Sequence, residues 1–231
     1  MPQYLADISK ERFTMDKEEA HHLKVARLHI GAEIKIFDGK GSKFLARLTA
    51  LSDKSACGEI LKPLPAPTLK RNITLYFSAV ARAAAEDIID KCTQVGVSRF
   101  AAVLSKFSEK DLLKKWETKY SRWHQLALAA CKQCENPSVP LIEKPLPFEE
   151  AITKLSTPAI ICYEDENKTS IIDYIQTIKT KDLSIFIGPE GGYDKAEIAF
   201  AKQKGVMPVT LGQNILRAET AAAAACWAAL Q

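Results

Sequence analysis

The first part of the chain has the pattern of short β-strands. Three runs alternate between apolar and polar side chains and are predicted strands: residues 29–41, 43–51 and 56–61. The glycine-containing turn at 38–41 separates the first two runs and predicts a hairpin. Residues 18–28 have a short helical pattern. Three prolines within 62–67 cannot join a helix or a central strand, so they mark a linker. Residues 1–67 are therefore predicted to form a small, mostly β domain.

From residue 71 to residue 231 the pattern changes, and helical periods alternate with short apolar runs. The predicted strands are 72–80, 99–105 and 159–163, followed by the apolar runs that end near 187 and 211. The predicted helices are 83–95, 111–134, 148–155, 170–179, 195–204 and 221–230. Gly96 is placed to end the first of these helices. Regular alternation of this kind predicts an α/β domain with a mainly parallel sheet that helices cover on both faces.

Two loops near the end of the chain stand out, at 188–192 and 211–220. Each follows a predicted strand and precedes a helix, and ligands bind at this end of the strands in open parallel sheets. Their glycines allow the backbone to approach a ligand closely. Asp194 and Glu197 form a capping-box pattern for the next helix, and Thr220 is predicted to cap the last one. The alternative is that Gly-Pro-Glu-Gly-Gly is only a tight turn.

The composition of the chain is that of a soluble globular protein. Hydrophobic residues make up 47% and charged residues 26% of the chain, as is ordinary for a soluble globular protein. A net charge of +4 permits nucleic-acid binding without indicating it. No apolar run approaches the roughly 20 residues of a membrane span, and the N-terminus lacks the pattern of a signal peptide. A cytoplasmic protein that does not bind a membrane is therefore expected.

The six cysteines are expected to be reduced thiols. Cys131 and Cys134 have the Cys-x-x-Cys spacing, which invites a zinc or redox interpretation. However, no second pair of ligands has metal-binding spacing, and the two residues lie within a helical pattern. No metal site is predicted.

The two loops resemble those of a known family. Ile-Gly-Pro-Glu-Gly-Gly at 187–192 and Leu-Gly-x-x-Ile-Leu-Arg-x-Glu-Thr-Ala at 211–221 are similar to the loops of the RsmE family. These enzymes are 16S rRNA uridine N3-methyltransferases of the SPOUT (trefoil-knot) superfamily. The segment from His21 to Gly39 resembles the family's PUA-like RNA-binding domain, and residues 87–97 and 122–140 also match its pattern. The resemblance covers nearly the whole chain.

The resemblance implies a fold of two domains. An N-terminal PUA-like β-barrel would span 1–67, and a C-terminal α/β SPOUT domain with a deep trefoil knot would span 71–231. Its cofactor site would lie within 160–220 and hold S-adenosylmethionine in a bent form. The implied cofactor-binding residues are Tyr163, Ile187, Gly188, Pro189, Glu190, Gly191, Gly192, Leu211, Gly212, Ile215, Leu216, Arg217 and Thr220. The implied RNA-binding residues are His22, Arg27, Arg122 and Gln133.

The chain departs from the family pattern at four places that bear on RNA contacts. Gln3 stands where arginine is frequent, and Gln94 and Lys132 stand where glutamate is usual. Asn136 stands near a frequent arginine.

The implied reaction requires that the proton on uracil N3 be removed. Uracil N3 is protonated near neutral pH, so the enzyme needs a base, or a cation that stabilises the uracil anion. Arg217 is the catalytic candidate for the second role, because its planar fork suits a uracil carbonyl or a phosphate. Glu190 and Glu219 are candidates for polar positioning or for a base. The alternative for Arg217 and Glu219 is that they brace one another structurally.

The expected partners are 16S rRNA in the small ribosomal subunit and a second copy of the chain. The homodimer would form through the C-terminal domain. Trp227 would anchor either the core or the interface, and the core is the favoured alternative. Three other functions stay open. The chain could be a SPOUT enzyme acting on a ribose 2′-OH or on another base, or an RNA-binding module without catalysis. A phosphate-binding enzyme is the third, but both common phosphate motifs are missing.

Overall fold

The computed structural model of the chain describes residues 3–109 and 116–231. The chain divides into two compact units. The first contains the residues up to Thr68 together with Leu128–Val139, and the second contains Leu69–Ala127 and Pro140–Gln231. The predicted start of the long helix at 111, with Leu112 and Leu113, lies outside the described residues.

The first unit is built on a six-stranded sheet. Its elements are β1 (Gln3–Leu5), β2 (Asp7–Ser9), β3 (Arg12–Met15), α1 (Lys17–Val25), β4 (Glu33–Phe37), β5 (Lys43–Leu51) and β6 (Ala56–Leu64). The strand order is β1-β4-β5-β6-β3-β2. Strands β1 and β2 stand at opposite ends of this order, yet Ala6 alone joins them. The sheet must therefore curl until its two edges meet, and the predicted β-barrel is confirmed.

The barrel is filled by apolar side chains from alternate strand positions. Its buried residues include Phe13, Ile34, Ile36 and Leu48, and Leu23 of α1 is buried with them. Each such side chain contributes roughly 1.5–3 kcal/mol when it leaves water. Antiparallel pairing of β4 with β5 confirms the predicted hairpin.

The predicted linker at 62–67 is wrong at its start, because β6 continues to Leu64 and includes Pro63. Pro63 pairs with Phe44 of β5. The other neighbour of β6, strand β3, ends its pairing at Glu59, so that side of β6 is open beside Pro63. A proline without an N–H is tolerated at such an open edge.

The first unit also takes in residues that the sequence pattern placed in the C-terminal domain. Helix α3 spans Trp116–Cys134, and Leu128–Val139 cluster with the barrel. Gln3, only 1% exposed, explains part of this: its side-chain amide donates to the backbone carbonyls of Cys131, at 3.0 Å, and Asn136, at 2.9 Å. The last carbonyls of a helix have no partner within the helix, and Gln3 supplies one. Gln3 therefore has a structural role here.

Two ion pairs attach the same segment to the barrel. Lys132 pairs with the buried carboxylate of Glu19 in α1, and Lys35 of β4 lies 2.7 Å from Glu135. A buried carboxylate needs such a partner, since an unpaired charge is costly to remove from water. Lys132, one of the departures from the family pattern, is therefore matched by Glu19 within this chain.

The second unit contains a six-stranded sheet with only parallel pairs. Its strands are β7 (Asn72–Ser78), β8 (Arg99–Leu104), β9 (Leu141–Pro147), β10 (Ala159–Cys162), β11 (Asp182–Ile187) and β12 (Met207–Val209). Its helices, besides α3, are α2 (Arg82–Val95), α4 (Phe148–Thr153), α5 (Ile171–Thr177), α6 (Lys195–Gln203) and α7 (Ala218–Leu230). The strand order is β12-β10-β11-β7-β8-β9.

Helices cover both faces of this sheet, as predicted. In β11, Ile185 packs in a core with α2, α5 and α7, whereas its neighbour Phe186 packs in a second core with α4 and α6. Successive side chains of a strand point to opposite faces, so one strand serves both cores. The predicted stop of α2 is also confirmed, because Gly96 adopts φ +113° at its end.

The start of α7 differs from the prediction. The helix begins at Ala218 with Arg217 as its N-cap residue, so Thr220 lies in the first turn and does not cap it. The expected core position of Trp227 is also wrong, because this side chain is 57% exposed. Ala222, Ala225 and Ala229 already occupy the buried face of the helix at a spacing of three and four residues. Trp227 falls on the opposite face.

A buried guanidinium holds the ends of two helices in the second unit. Arg71, 6% exposed, donates to the carbonyls of Ala229 near the end of α7, at 3.0 Å, and of Ile175 in α5, at 2.9 Å. It also donates to Ile178 just after α5, at 2.9 Å. Carbonyls at the end of a helix lack partners and carry partial negative charge, which suits a cation.

The end of α1 contains a left-handed residue that is not glycine. Arg27 adopts φ +57°, and its N–H donates to the carbonyl of Lys24 while that of Leu28 donates to Leu23. This is the Schellman arrangement, in which glycine is the usual left-handed residue. An L-residue with a Cβ costs about 1–2 kcal/mol in this conformation. Arg27 therefore occupies its position at a cost to stability.

We expect Arg27→Gly to raise the free energy of unfolding by on the order of 0.5–1 kcal/mol, because it relieves this strain. Arg27→Ala keeps the Cβ and serves as the control. Denaturant titration of both variants measures the effect. Equal stability of the glycine and alanine variants would contradict the assignment of strain to Arg27.

Candidate functional site

Three loops of the second unit line one cavity of about 470 Å³. They follow β10, β11 and β12 and contribute residues 162–164, 187–192 and 210–218, and Ala221 of α7 completes the wall. The loops meet because β10 pairs with β11 on one side and β12 on the other, and all three strands are parallel. Their carboxyl ends therefore open at the same edge, where ligands bind in such sheets.

All the predicted cofactor-binding residues except Thr220 line this cavity. Glu219, a catalytic candidate, does not line it either. The lining residues that the sequence pattern missed are Cys162, Glu164, Thr210, Gln213, Asn214, Ala218 and Ala221. The end of the run 159–163 could have indicated Glu164, but only if the position of β10 between β11 and β12 had been known.

The first glycine loop is a turn that also forms part of the cavity wall. The N–H of Gly192 donates to the carbonyl of Pro189 at 2.9 Å. Gly192 adopts φ +71°, and a Cβ there would collide with the carboxylate of Glu164. A Cβ on Gly188 would lie 3.1 Å from the ring of the buried Tyr193. The left-handed backbone of Gly192 favours glycine there, and little space is left for a side chain at Gly188. The motif is therefore both a tight turn and part of the cavity wall.

The helix after this loop confirms the predicted capping box. The side chain of Asp194 accepts from the N–H of Ala196 at 2.9 Å, and Glu197 accepts from the N–H of Asp194 at 2.9 Å. These bonds satisfy N–H groups that have no partner within the helix. They fix the point at which the glycine loop joins α6.

The second glycine loop is tied together at its start. The Thr210 hydroxyl accepts from the N–H of Gly212 at 3.2 Å and lies 3.1 Å from the Gly212 carbonyl, to which it can donate. Gly212 adopts φ +124°, a conformation that favours glycine. Further along, Ile215 lines the cavity while 89% exposed. A large apolar side chain exposed in a cavity wall is suited to cover an apolar ligand surface.

Two groups at the end of β10 are neutral at physiological pH. Burial raises the pKa of the Cys162 thiol to about 12. Burial, followed by the hydrogen bond to Asp165 at 2.9 Å, raises the pKa of the Tyr163 hydroxyl to about 12. Because the thiolate is the reactive form of cysteine, Cys162 is a wall residue and does not act as a nucleophile.

Arg217 presents a charged group at the cavity. Its side chain is exposed and, within the part of the chain that the structure describes, forms no hydrogen bond or ion pair. Glu219 lies in the first turn of α7, and its charge acts on Lys91, whose pKa is raised first by Asp87 and to a smaller extent by Glu219. Arg217 and Glu219 therefore do not brace one another through an ion pair or a hydrogen bond. The guanidinium is available to a ligand.

The predicted RNA-binding residues are distributed over both units. His22, Arg27 and Gln133 belong to the first unit, and Arg122 belongs to the second. His22 is partly exposed, and its Nδ1 atom lies 3.8 Å from a carboxylate oxygen of Glu19. Arg27 and Gln133 are exposed.

Arg122 has a partner within its own unit. Its guanidinium lies 3.0 Å from the carboxylate of Glu86, which Arg82 also contacts at 2.7 Å. Hydrogen bonds from Arg122 first, and then from Arg82, lower the pKa of Glu86. An RNA phosphate would have to share Arg122 with Glu86.

The Cys-x-x-Cys pair contains a buried thiol, that of Cys131. Burial raises the pKa of Cys131 to about 12, so its thiol stays protonated. Over residues 3–109 and 116–231, no group of three or more His, Cys, Asp or Glu side chains is placed to hold a metal ion. In the same ranges, no helix is long and apolar enough to cross a membrane.

Comparison with known proteins identifies the family. The RNA methyltransferase domain family matches residues 67–230, and the RNA methyltransferase PUA domain family matches residues 16–61. The ribosomal RNA small subunit methyltransferase E of Synechocystis sp. is 31% identical over 90% of this chain and 69% of its own length. The PUA-like assignment of the barrel is thereby confirmed.

Solved structures agree with this assignment. The ribosomal RNA small subunit methyltransferase E of Neisseria gonorrhoeae, whose crystal holds S-adenosyl methionine, has a TM-score of 0.87 at 27% identity and covers 98% of this chain and 95% of its own. A probable rRNA-methyltransferase from Porphyromonas gingivalis has a TM-score of 0.82 at 28% identity, covering 98% and 95%. The predicted family is confirmed: the chain belongs to the RNA methyltransferase family that includes the ribosomal RNA small subunit methyltransferases E.

Proposed function

We propose that the protein transfers the methyl group of S-adenosylmethionine to N3 of a uridine in 16S rRNA of the small ribosomal subunit. The observation that carries this proposal is the single cavity formed by the three loops after β10, β11 and β12, which includes both loops of the RsmE pattern. Its volume of about 470 Å³ falls within the range of small-ligand sites, roughly 300–1,000 Å³. Family membership supplies the RNA class of the substrate.

The cavity residues fit S-adenosylmethionine. Ile187, Leu211 and Leu216 offer backbone groups to the edge of adenine and apolar side chains to its faces. Glu164 and Glu190 bring carboxylates to the cavity, where they attract a cationic ligand or accept from ribose hydroxyls. Bound S-adenosylmethionine supplies an electrophilic methyl group on a sulfonium ion. The deep trefoil knot, which the resemblance implies around this site, stays a prediction.

Arg217 is proposed as the catalytic cation. Its unpaired guanidinium at the cavity can hydrogen-bond a uracil carbonyl and stabilise the negative charge that develops when the N3 proton leaves. The exposed carboxylate of Glu190 stands at the same cavity and is a candidate acceptor for that proton or for substrate positioning. A catalytic role for Glu219, which does not line the cavity, stays a prediction. The same holds for a cofactor contact by Thr220.

The proposed RNA-binding residues are His22, Arg27, Arg122 and Gln133. Arg27 has the strongest support, because strain at an exposed arginine is consistent with a function that glycine would not serve. We expect Arg27→Gly and Arg27→Ala to weaken RNA binding alike, although only the former stabilises the fold. Since the proposed substrate belongs to the ribosome, a cytoplasmic location is proposed as well.

The proposed reaction is tested by mass spectrometry of 16S rRNA. We expect one N3-methyluridine to be missing from cells that lack the protein and to return when the wild-type gene is restored. Restoration with an Arg217→Ala variant should leave the site largely unmethylated. An unchanged modification profile would refute the proposal, and loss of a ribose 2′-O-methyl group or another methylated base would establish one of the alternative reactions.

A pair of glycine variants tests the cofactor site. Gly212 in the cavity and Gly205 in the turn before β12 both have positive φ, +124° and +84°, and at neither residue would an added Cβ have another atom within 4 Å. Alanine is strained in both turns, more so at Gly212, whose φ lies farther from the left-handed region that L-residues can adopt. We expect Gly212→Ala to weaken S-adenosylmethionine binding about tenfold or more, which corresponds to roughly 1.4 kcal/mol.

The matched variant Gly205→Ala should bind S-adenosylmethionine like the wild type, since Gly205 does not line the cavity. Isothermal titration calorimetry gives both dissociation constants. Equal affinities for the two variants would show that the second loop does not shape the cofactor site.

A homodimer through α7 is proposed as the oligomeric state. The exposed face of α7 carries Thr220, Ala224 and Trp227, which recur at helical spacing. Trp227, 57% exposed, is of the residue type that most often anchors interfaces. Small neighbours such as Ala224 permit close approach of a second helix, and a two-fold contact of one surface with itself is the commonest solution.

We expect Trp227→Ala to weaken the dimer at least tenfold, because interface anchors typically contribute about 2 kcal/mol or more. Light scattering over a range of protein concentrations measures this. Leu141→Ala, which removes a 50% exposed side chain from the edge strand β9, is the control and should dimerise normally. A wild-type protein that is monomeric at micromolar concentration would contradict the proposal.

A further inference from the structure

An exposed aromatic ring lies against the first glycine loop. Phe107 follows β8 and is 51% exposed. A Cβ on Gly191 would lie 3.3 Å from the Phe107 Cβ and 3.6 Å from its Cγ, so the side chain packs on Gly191. Gly191 lines the cofactor cavity, whereas Phe107 does not. The ring therefore stands beside the cavity, on the outer side of its wall.

The turn that carries Phe107 is held on both sides of the ring. The Ser108 hydroxyl donates to the carbonyl of Ser105 at 2.7 Å, and the N–H of Glu109 donates to the carbonyl of Ala79 at 2.7 Å. Ser105 is itself buried, with its hydroxyl 3.0 Å from that of Ser78. These bonds fix the backbone of the turn that carries the ring.

Lys106 fixes the same turn to the start of α6. Its N–H donates to the buried carboxylate of Glu197 at 2.8 Å, and its Nζ donates to Asp194 at 2.6 Å. The same Nζ lies 5.3 Å from the centre of the Phe107 ring. Because Asp194 already pairs with this ammonium group, Lys106 orients the ring and is not a free phosphate contact.

We propose that Phe107 is a substrate-binding residue whose ring stacks on a base of the RNA beside the cofactor cavity. This inference rests on the proposed function. The acceptor nitrogen must come within about 3–3.5 Å of the donated methyl group, so the RNA must reach the cavity, and Gly191 forms part of the cavity wall. Proteins that read unpaired RNA bases stack them on aromatic side chains. An exposed ring on a fixed turn at that wall offers such a stacking surface.

The surroundings of Phe107 favour RNA over a protein partner. The neighbours of the ring along the turn are Lys106, Ser108 and Glu109, all polar. Within 105–109, the described part of this turn, Phe107 is the one apolar side chain, and a single ring is not the continuous apolar patch that marks a protein contact. A base needs one flat surface, which Phe107 supplies.

The test compares three substitutions of Phe107 in steady-state methylation of small ribosomal subunits. Stacking contributes enough that we expect Phe107→Ala to raise KM for the RNA substrate about tenfold. Phe107→Leu should behave like Phe107→Ala, because it keeps apolar volume but loses the flat ring. Phe107→Tyr should retain a KM near that of the wild type. The dissociation constant of S-adenosylmethionine, measured by calorimetry, should stay unchanged in all three.

Phe200→Ala is the matched control. Phe200 on α6 also has a lysine near its ring, with the Nζ of Lys204 5.8 Å from the ring centre, but it does not line the cavity. Its loss should leave KM for RNA unchanged. Ultraviolet cross-linking of the wild type to its RNA should in addition attach a nucleotide to the peptide that contains Phe107.

Several results would overturn the inference. These are an unchanged KM in Phe107→Ala, a wild-type KM in Phe107→Leu, and weaker S-adenosylmethionine binding that accounts for the whole loss. A dimer that dissociates in Phe107→Ala would show instead that the ring lies between copies of the chain. A wild type that methylates no RNA would defeat the proposed function, while a cross-link at Phe107 would still support stacking.

Discussion

The structure of the second unit depends on the pairing of β10 with both β11 and β12. All three strands are parallel, so the loops that follow them open at one edge of the sheet. If β12 had paired beside any other strand, the loop at 210–218 would lie away from the glycine turn at 188–192. The cavity is thus a consequence of strand order, and its chemistry comes from the loops that this order brings together.

Helix α7 completes the wall of the cavity at this edge. Its start contributes Arg217, Ala218 and Ala221 to the cavity, so the position of the helix determines where the guanidinium stands. The alanine-rich buried face lets α7 pack closely in the core with α2 and α5. At the other end of α7, Arg71 bonds to the carbonyl of Ala229 and to two carbonyls at the end of α5. Small side chains and one buried cation together fix the helix.

Much of the fold and of the site could be predicted from local patterns. The glycine loops, the capping box at Asp194 and the stop at Gly96 follow from conformations that few residues adopt. Glu164 was missed because its place in the cavity depends on the order of strands, which no local pattern records. The structural roles of Gln3 and Lys132 were hidden for a similar reason, since their partners lie more than a hundred residues away in the chain. Trp227 was misplaced because the alanines on the core face are small. Helical spacing alone does not show that these alanines fill the core without a large side chain.

The proposed function requires that the three loops form one site for S-adenosylmethionine. Locating the bound cofactor in a crystal structure of this protein tests it most directly. We expect adenine to lie between the loops at 187–192 and 211–216, with hydrogen bonds to backbone groups of Ile187, Leu211 or Leu216. The methyl group should face Arg217. Cofactor bound outside the cavity, or bound there with its methyl group turned away from Arg217, would contradict this proposal.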